Sequence, residues 1–166
     1  MIGQKFSNLS DPTEFNCKFT SLTRDNIAPK KIPAMYENST TIMCASPGGW
    51  NNGDEVRVQV TFNGEDYSDN NFTFNFYHVT RMHPRSGPSD GTGGTINVEG
   101  SGFRNDTEII CSLDKVLYEP VEITPTVIRC PMPKHKKGPT FFGNVEFAVI
   151  IDGNWHKFTG GFQYYE

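Results

Sequence analysis

The chain has 166 residues, with 15 Lys and Arg against 19 Asp and Glu and a formal charge of -4, enough for one medium domain or two small ones. No window approaches the roughly 18–20 consecutive apolar residues of a membrane helix, and Met1-Ile2-Gly3-Gln4 is not the start of an export signal. The segment is therefore predicted not to insert into a membrane and to be a piece of a longer protein, while its shared mild acidity argues against nucleic acid as a partner.

Apolar and polar residues alternate in residues 56–62, which predicts a strand with one wet face. The same alternation recurs, in chain order, in residues 72–77, 95–98, 145–151 and 162–165. Turn chemistry punctuates these runs at Gly48-Gly49, Asn63-Gly64, Gly138-Pro139 and Asp152-Gly153. No stretch of ten residues carries the i, i+3, i+4, i+7 pattern of an amphipathic helix. Short strands separated by Gly and Pro predict an all-β protein of the sandwich type.

Laying one half over the other reveals a repeat. Gly3-Gln4-Lys5-Phe6-Ser7-Asn8 matches Gly100-Ser101-Gly102-Phe103-Arg104-Asn105, and Asn16-Cys17-Lys18-Phe19 matches Ile110-Cys111-Ser112-Leu113. Ile42-Met43-Cys44-Ala45-Ser46-Pro47 matches Ile128-Arg129-Cys130-Pro131-Met132-Pro133, and Phe74-Asn75-Phe76-Tyr77 matches Phe162-Gln163-Tyr164-Tyr165. The drifting offset means that loops vary while strands persist, as in a tandem of two related modules. The predicted domains are residues 1–78 and 79–166. Residues 79–98 have no counterpart before Gly3, so the first module is expected to lack its opening strands, leaving an edge for a neighbouring segment or another chain to cover.

The four cysteines, Cys17, Cys44, Cys111 and Cys130, allow three pairings. Proximity within each repeat and the correspondence of the two pairs favour Cys17 with Cys44 and Cys111 with Cys130. Four N-x-[ST] sequons, at Asn8, Asn38, Asn71 and Asn105, are candidate N-glycosylation sites. Paired cysteines without a CxxC, together with four sequons, predict an extracellular or cell-surface location.

The string Pro84-x-x-Gly87-Pro88-x-x-Gly91-x-Gly93-Gly94-Thr95-x-x-x-x-Gly100-x-Gly102-Phe103, with residues 127–133 and 162–165 behind it, resembles the IPT/TIG family. Residues 79–166 carry nearly the whole pattern, and residues 1–78 carry all of it except the opening. The resemblance implies an immunoglobulin-like fold of the kind found in plexins and social-amoeba adhesion proteins. Such a fold names no task by itself.

Other motifs are weighed against simple structure. Gly91-Thr92-Gly93-Gly94-Thr95 lacks the Lys-Ser/Thr and the subsequent helix of a phosphate loop, so it reads as a turn. His78, His83, His135 and His156 have neither HExxH nor CxxC beside them, so no metal is expected. Residues 63–71 gather oxygen ligands without EF-hand spacing and read as a solvated loop. Lys134-His135-Lys136-Lys137-Gly138 is the one basic run and reads as an exposed loop. Trp50, Tyr67, Trp155 and Phe141-Phe142 lie near turns and read as packing before a sugar platform. No Gly-x-Ser-x-Gly and no free Cys beside a His is present, so neither catalysis nor a cofactor is expected.

These readings converge on a non-enzymatic extracellular structural or adhesion module acting through protein–protein contacts, by self-association or with neighbouring repeats, carrying N-linked glycans and forming a repeating subunit of a surface filament. The rivals are a plexin-like receptor ectodomain fragment, marked by a membrane helix downstream, and a carbohydrate-binding accessory domain.

Overall fold

The computed structural model describes residues 15–166. Every regular element among them is a strand, as the alternation predicts. The chain divides into two compact units at Phe76 and Tyr77.

Unit 1 holds β1 (Asn16–Ser21), β2 (Lys30–Asn38), β3 (Thr41–Cys44), β4 (Glu55–Thr61) and β5 (Thr73–Asn75). They form one sheet in the order β3-β2-β1-β4-β5. β4 buries Val56, Val58 and Val60 and leaves the residues between them half-exposed. Opposite them on β1 stand Cys17 and Phe19, so one face of the pair carries the core. β2 pairs with β1 through Lys30–Pro33 and with β3 from Ala34 onward. Pro33 has no N–H to give, and the strand changes partner beside it. Two strand spacings in a flat sheet would set β3 about 9.6 Å from β1, yet the Cα atoms of Cys17 and Cys44 are 6.2 Å apart and their sulfurs are bonded. The sheet therefore curls so that Ile42 of β3, fully buried, closes over the apolar face of β1.

Unit 2 holds β6 (His78–His83), β7 (Ser86–Pro88), β8 (Thr95–Ser101), β9 (Ile109–Leu113), β10 (Val116–Tyr118) and β11 (Glu122–Ile123). It continues with β12 (Val127–Pro131), β13 (Gly143–Val145), β14 (Phe147–Ile151), β15 (Asn154–Lys157) and β16 (Phe162–Tyr165). One sheet runs β11-β12-β8-β6 and another β10-β9-β14-β15. Ile96, Val98 and Ile128 from the first pack against Cys111, Phe147 and Val149 from the second. This is the immunoglobulin-like sandwich. Cys111 on β9 is bonded to Cys130 on β12 with Cα atoms 5.8 Å apart, so the disulfide joins the two sheets through the core.

A third sheet, β13-β16-β7, finishes one side of the sandwich, with β7 running parallel to β16. β13 and β14 are separated only by Glu146, and this residue marks where the strand passes from β16 to β9. The sequence pattern reads that stretch as one run. β14 and β15 turn on Asp152 and Gly153, both at positive φ (48° and 77°), the two-residue hairpin that Asp-Gly predicts. β9 and β10 turn on Asp114 and Lys115 at φ 50° and 64°, a turn without glycine that the sequence does not advertise.

Candidate functional site

The structure disperses the residues that could carry chemistry and leaves apolar surface at one end of unit 1. The four histidines occupy separate places. His83 Nε2 lies 2.6 Å from Glu99 Oε1, and Glu99 also accepts from Arg81 Nε at 2.5 Å; the Arg81 guanidinium holds the Glu99 carboxyl below its ordinary range. His135 is buried, stacked on Phe141 with ring centroids 3.6 Å apart. His156 lies 2.9 Å from the Tyr77 hydroxyl, and burial lowers its pKa. His78 is exposed. Among the described residues no three His, Cys, Asp or Glu side chains gather as a metal would require.

The glycine stretch before β8 is a local turn. Asp90 Oδ1 accepts from the Thr92 N–H at 2.9 Å and its hydroxyl at 2.7 Å, which lowers the Asp90 carboxyl pKa. Gly91 and Gly94 have positive φ, conformations that glycine adopts freely. The acidic loop before β5 is similarly self-satisfied: Asn63 Oδ1 accepts from the N–H groups of Glu65 (3.0 Å) and Asp66 (2.8 Å), and Asn63 Nδ2 donates to Asp66 Oδ2 at 2.9 Å. The basic run is broken by the buried His135, whose N–H donates to the Ser89 carbonyl at 2.9 Å. Lys137 turns its Nζ over the Phe141 ring at 5.3 Å.

Trp50 stacks on Phe76 at 5.9 Å under Lys30 Nζ, and Tyr67 receives Lys18 Nζ at 4.6 Å. Trp155 and Phe142 are exposed in unit 2, and Phe141 packs inward.

Asn38, Asn71 and Asn105 are all exposed; Asn8 lies outside the described residues. Asn38 ends β2, where its Oδ1 accepts from the N–H (2.9 Å) and hydroxyl (2.8 Å) of Thr40. Asn71 enters β5. Asn105 sits in the turn before β9, beside an Arg104–Asp106 ion pair that lowers the Asp106 carboxyl pKa.

One surface was only partly visible in the sequence. Phe72 and Phe74 are 49% and 45% exposed at the end of unit 1, where they border a cavity of about 230 Å³. Phe19, Cys44, Ser46 and Val58 complete its lining. By contrast, Phe162 and Tyr164 of β16 are 0% and 1% exposed. Large exposed aromatics beside an apolar hollow are what a protein-contact surface presents.

The family model of the IPT/TIG domain matches residues 78–164. No curated protein matches the chain. Among solved structures, the full extracellular region of plexin A4, domains 1 to 8, aligns over 97% of this chain and 31% of its own length, at 10% identity and a TM-score of 0.29. The chain thus spans less than a third of that neighbour.

Proposed function

The chain belongs to the IPT/TIG domain family, and from that premise we propose that it is a non-enzymatic module of an extracellular, cell-surface protein that works through protein–protein contacts. The pair of cystines, one in each unit, carries this reading. Cys17, Cys111 and Cys130 are buried, and structural disulfides of this kind persist in oxidising compartments. The exposure of Asn38, Asn71 and Asn105 supports N-glycans there, and Asn8 is proposed with them. Sugars at these points shield their surroundings, and because strand alternation sets the Asn71 side chain on the face away from Phe72 and Phe74, the surface of those two rings is left for protein contact.

In this reading residues 1–78 are an incomplete copy of the module formed by residues 79–166. The correspondence is supported by β1 with β9, β3 with β12, β4 with β13 and β14, and β5 with β16. Val56 pairs with Phe74 as Val145 pairs with Phe162. The ring pairs agree as well: Phe74 and Phe76 lie 5.0 Å apart at 72°, Phe162 and Tyr164 5.2 Å apart at 80°. Among the described residues of unit 1 nothing stands in for β6, β7 or β8. Partners are other polypeptides, including further copies, and the finer form of the proposal is a repeating subunit of a glycosylated filament.

The test is glycopeptide and disulfide mapping by mass spectrometry, with electron microscopy, on material from the native source. Glycans on the sequons, cystines Cys17–Cys44 and Cys111–Cys130, and assemblies with one chain per repeat are expected. Bare asparagines with reduced cysteines would overturn the extracellular assignment. Glycosylated chains that are never assembled would overturn the filament.

A further inference from the structure

Unit 2 shows how the last strand of this fold is finished. β16 pairs with β13 on one edge and with β7 on the other. Gln163 donates its N–H to the Arg85 carbonyl at 2.9 Å, and the Tyr165 carbonyl accepts from the Ser89 N–H at 2.8 Å. Gly87, at the centre of β7, lies opposite Tyr164. A Cβ on it would run into the end of the Met132 side chain, which fills the space below, so a larger residue there requires Met132 to move.

Among the described residues β5 has only the first of these partners. Val58 donates its N–H to the Phe72 carbonyl at 3.0 Å and Phe76 its own to the Asp54 carbonyl at 2.9 Å. Residues 72, 74 and 76 therefore turn their backbone groups toward β4, and Thr73 and Asn75 turn theirs outward. Among the described residues no strand lies on that outer edge, and the buried Oδ1 of Asn75 has no partner. The residue that matches Met132 in the repeat is Ser46, and Ser46 lines the cavity of about 230 Å³ where the larger side chain would be. The loop leading into β5 exposes Glu65, Asp66 and Asp69; Lys18 and Lys31 lie over its Tyr67 ring at 4.6 and 5.6 Å, leaving three exposed carboxylates against two cations. In unit 2 the approach to β16 is held instead by Arg85, two residues before Gly87, whose Nη1 donates to the Thr159 carbonyl at 2.9 Å.

We infer that the free edge of β5 receives, in parallel, an extended segment of another polypeptide that carries a basic residue two positions before a large aliphatic one. The backbone of the segment pairs with the outward groups of Asn75 as the β7 edge pairs with Gln163. Its aliphatic side chain fills the cavity that Ser46 leaves, and its cation faces the acidic loop. In strand alternation Asn71 falls on the Thr73 side and not the Phe72 side, so a glycan there leaves the cavity open. The inference rests on the reading of unit 1 as a partial copy of unit 2.

The full chain, with its disulfides formed, is titrated by fluorescence anisotropy with labelled Ser-Ser-Arg-Ser-Leu-Ser-Ser-Gly and with relatives carrying Gly for Leu or Glu for Arg. The Leu peptide is expected to bind at least roughly tenfold more tightly than the Gly peptide, the factor that burying one such side chain provides, and the Glu peptide to bind more weakly than the parent. Ser46→Met fills the cavity from within and reverses the preference, so that the Gly peptide becomes the tighter ligand. Equal binding of the Leu and Gly peptides, or a Ser46→Met variant with unaltered preference, overturns the inference. Hydrogen exchange of the free chain separates it from its premise. A slow Phe74 amide with a fast Asn75 amide upholds the β4–β5 pairing, and the peptide result then judges docking alone. Equally fast amides mean that β5 is not paired as in unit 2, which overturns the partial-copy reading and the inference with it.

Discussion

Replacing Phe162 and Phe74 by alanine, one at a time, measures the asymmetry between the units. Each ring makes an edge-on aromatic pair with the next inward residue, at 5.2 Å and 5.0 Å, so that contribution nearly cancels in the comparison. What remains is burial. Phe162 is fully enclosed, and Phe162→Ala removes its transfer free energy and leaves a cavity, about 3–5 kcal/mol. Phe74 is 45% exposed beside an open hollow. Phe74→Ala loses about half of the ~1.5–3 kcal/mol of a buried side chain and encloses no new void, so about 0.8–1.5 kcal/mol is expected. For units of this size that is a fall in Tm of roughly 3–12 °C for Phe74→Ala, and a loss comparable to much of a small domain's ~5–15 kcal/mol for Phe162→Ala. Tryptophan fluorescence during urea unfolding reads the units separately: Trp155→Phe leaves Trp50 to report unit 1, and Trp50→Phe leaves Trp155 to report unit 2. Equal costs, or a larger cost in unit 1, would refute the claim that Phe74 lacks the cover its counterpart has.

Closing loops of 27 and 19 residues, the disulfides are worth about 3.6 and 3.2 kcal/mol in the chain-entropy model, so Cys17→Ala with Cys44→Ala and Cys111→Ala with Cys130→Ala should each lower their own unit's urea midpoint. Gly100→Ala drives a Cβ into the His78 carbonyl oxygen across the β6–β8 pair and should cost about 1–3 kcal/mol in calorimetry as an overpacked site. Gly153→Ala, in open space at φ 77°, should cost only about 1 kcal/mol of backbone strain. Burial lowers the pKa of His156, so the folded state disfavours its protonated form. Its contribution is intact above the unfolded value of about 6.5 and is lost as pH falls from there through the lower folded value. Unit 2 should thus weaken as pH falls below about 6.5 in a urea series, and His156→Gln should flatten that slope.

Some elements were legible because one physical signal dominates them. β4, β8 and β16 each bury one face, and alternation records that directly. β2 was not, because Pro33 interrupts its pattern and its inward residues are only half-buried. The Asp114-Lys115 turn was hidden because the strands it joins, and not a glycine, impose its positive φ. The strand expected over residues 72–77 is present as β5, but its alternation does not give burial: Phe72 and Phe74 are exposed although their spacing is that of a core face. The candidate surface was therefore half-readable. The exchange of Met132 for Ser46 is in the repeat, whereas the lack of an outer neighbour for β5 among the described residues depends on which strands surround it, and a linear pattern carries no record of that.

The central claim is that unit 1 meets another polypeptide. Photo-crosslinking from a benzoylphenylalanine placed at Phe72, with the same probe at Trp155 as the unit 2 comparison, tests this in intact native material. The account predicts a covalent adduct to another polypeptide from position 72, at the cavity beside β5. Native material that gives no interchain adduct from position 72, while remaining folded and disulfide-bonded, would contradict it.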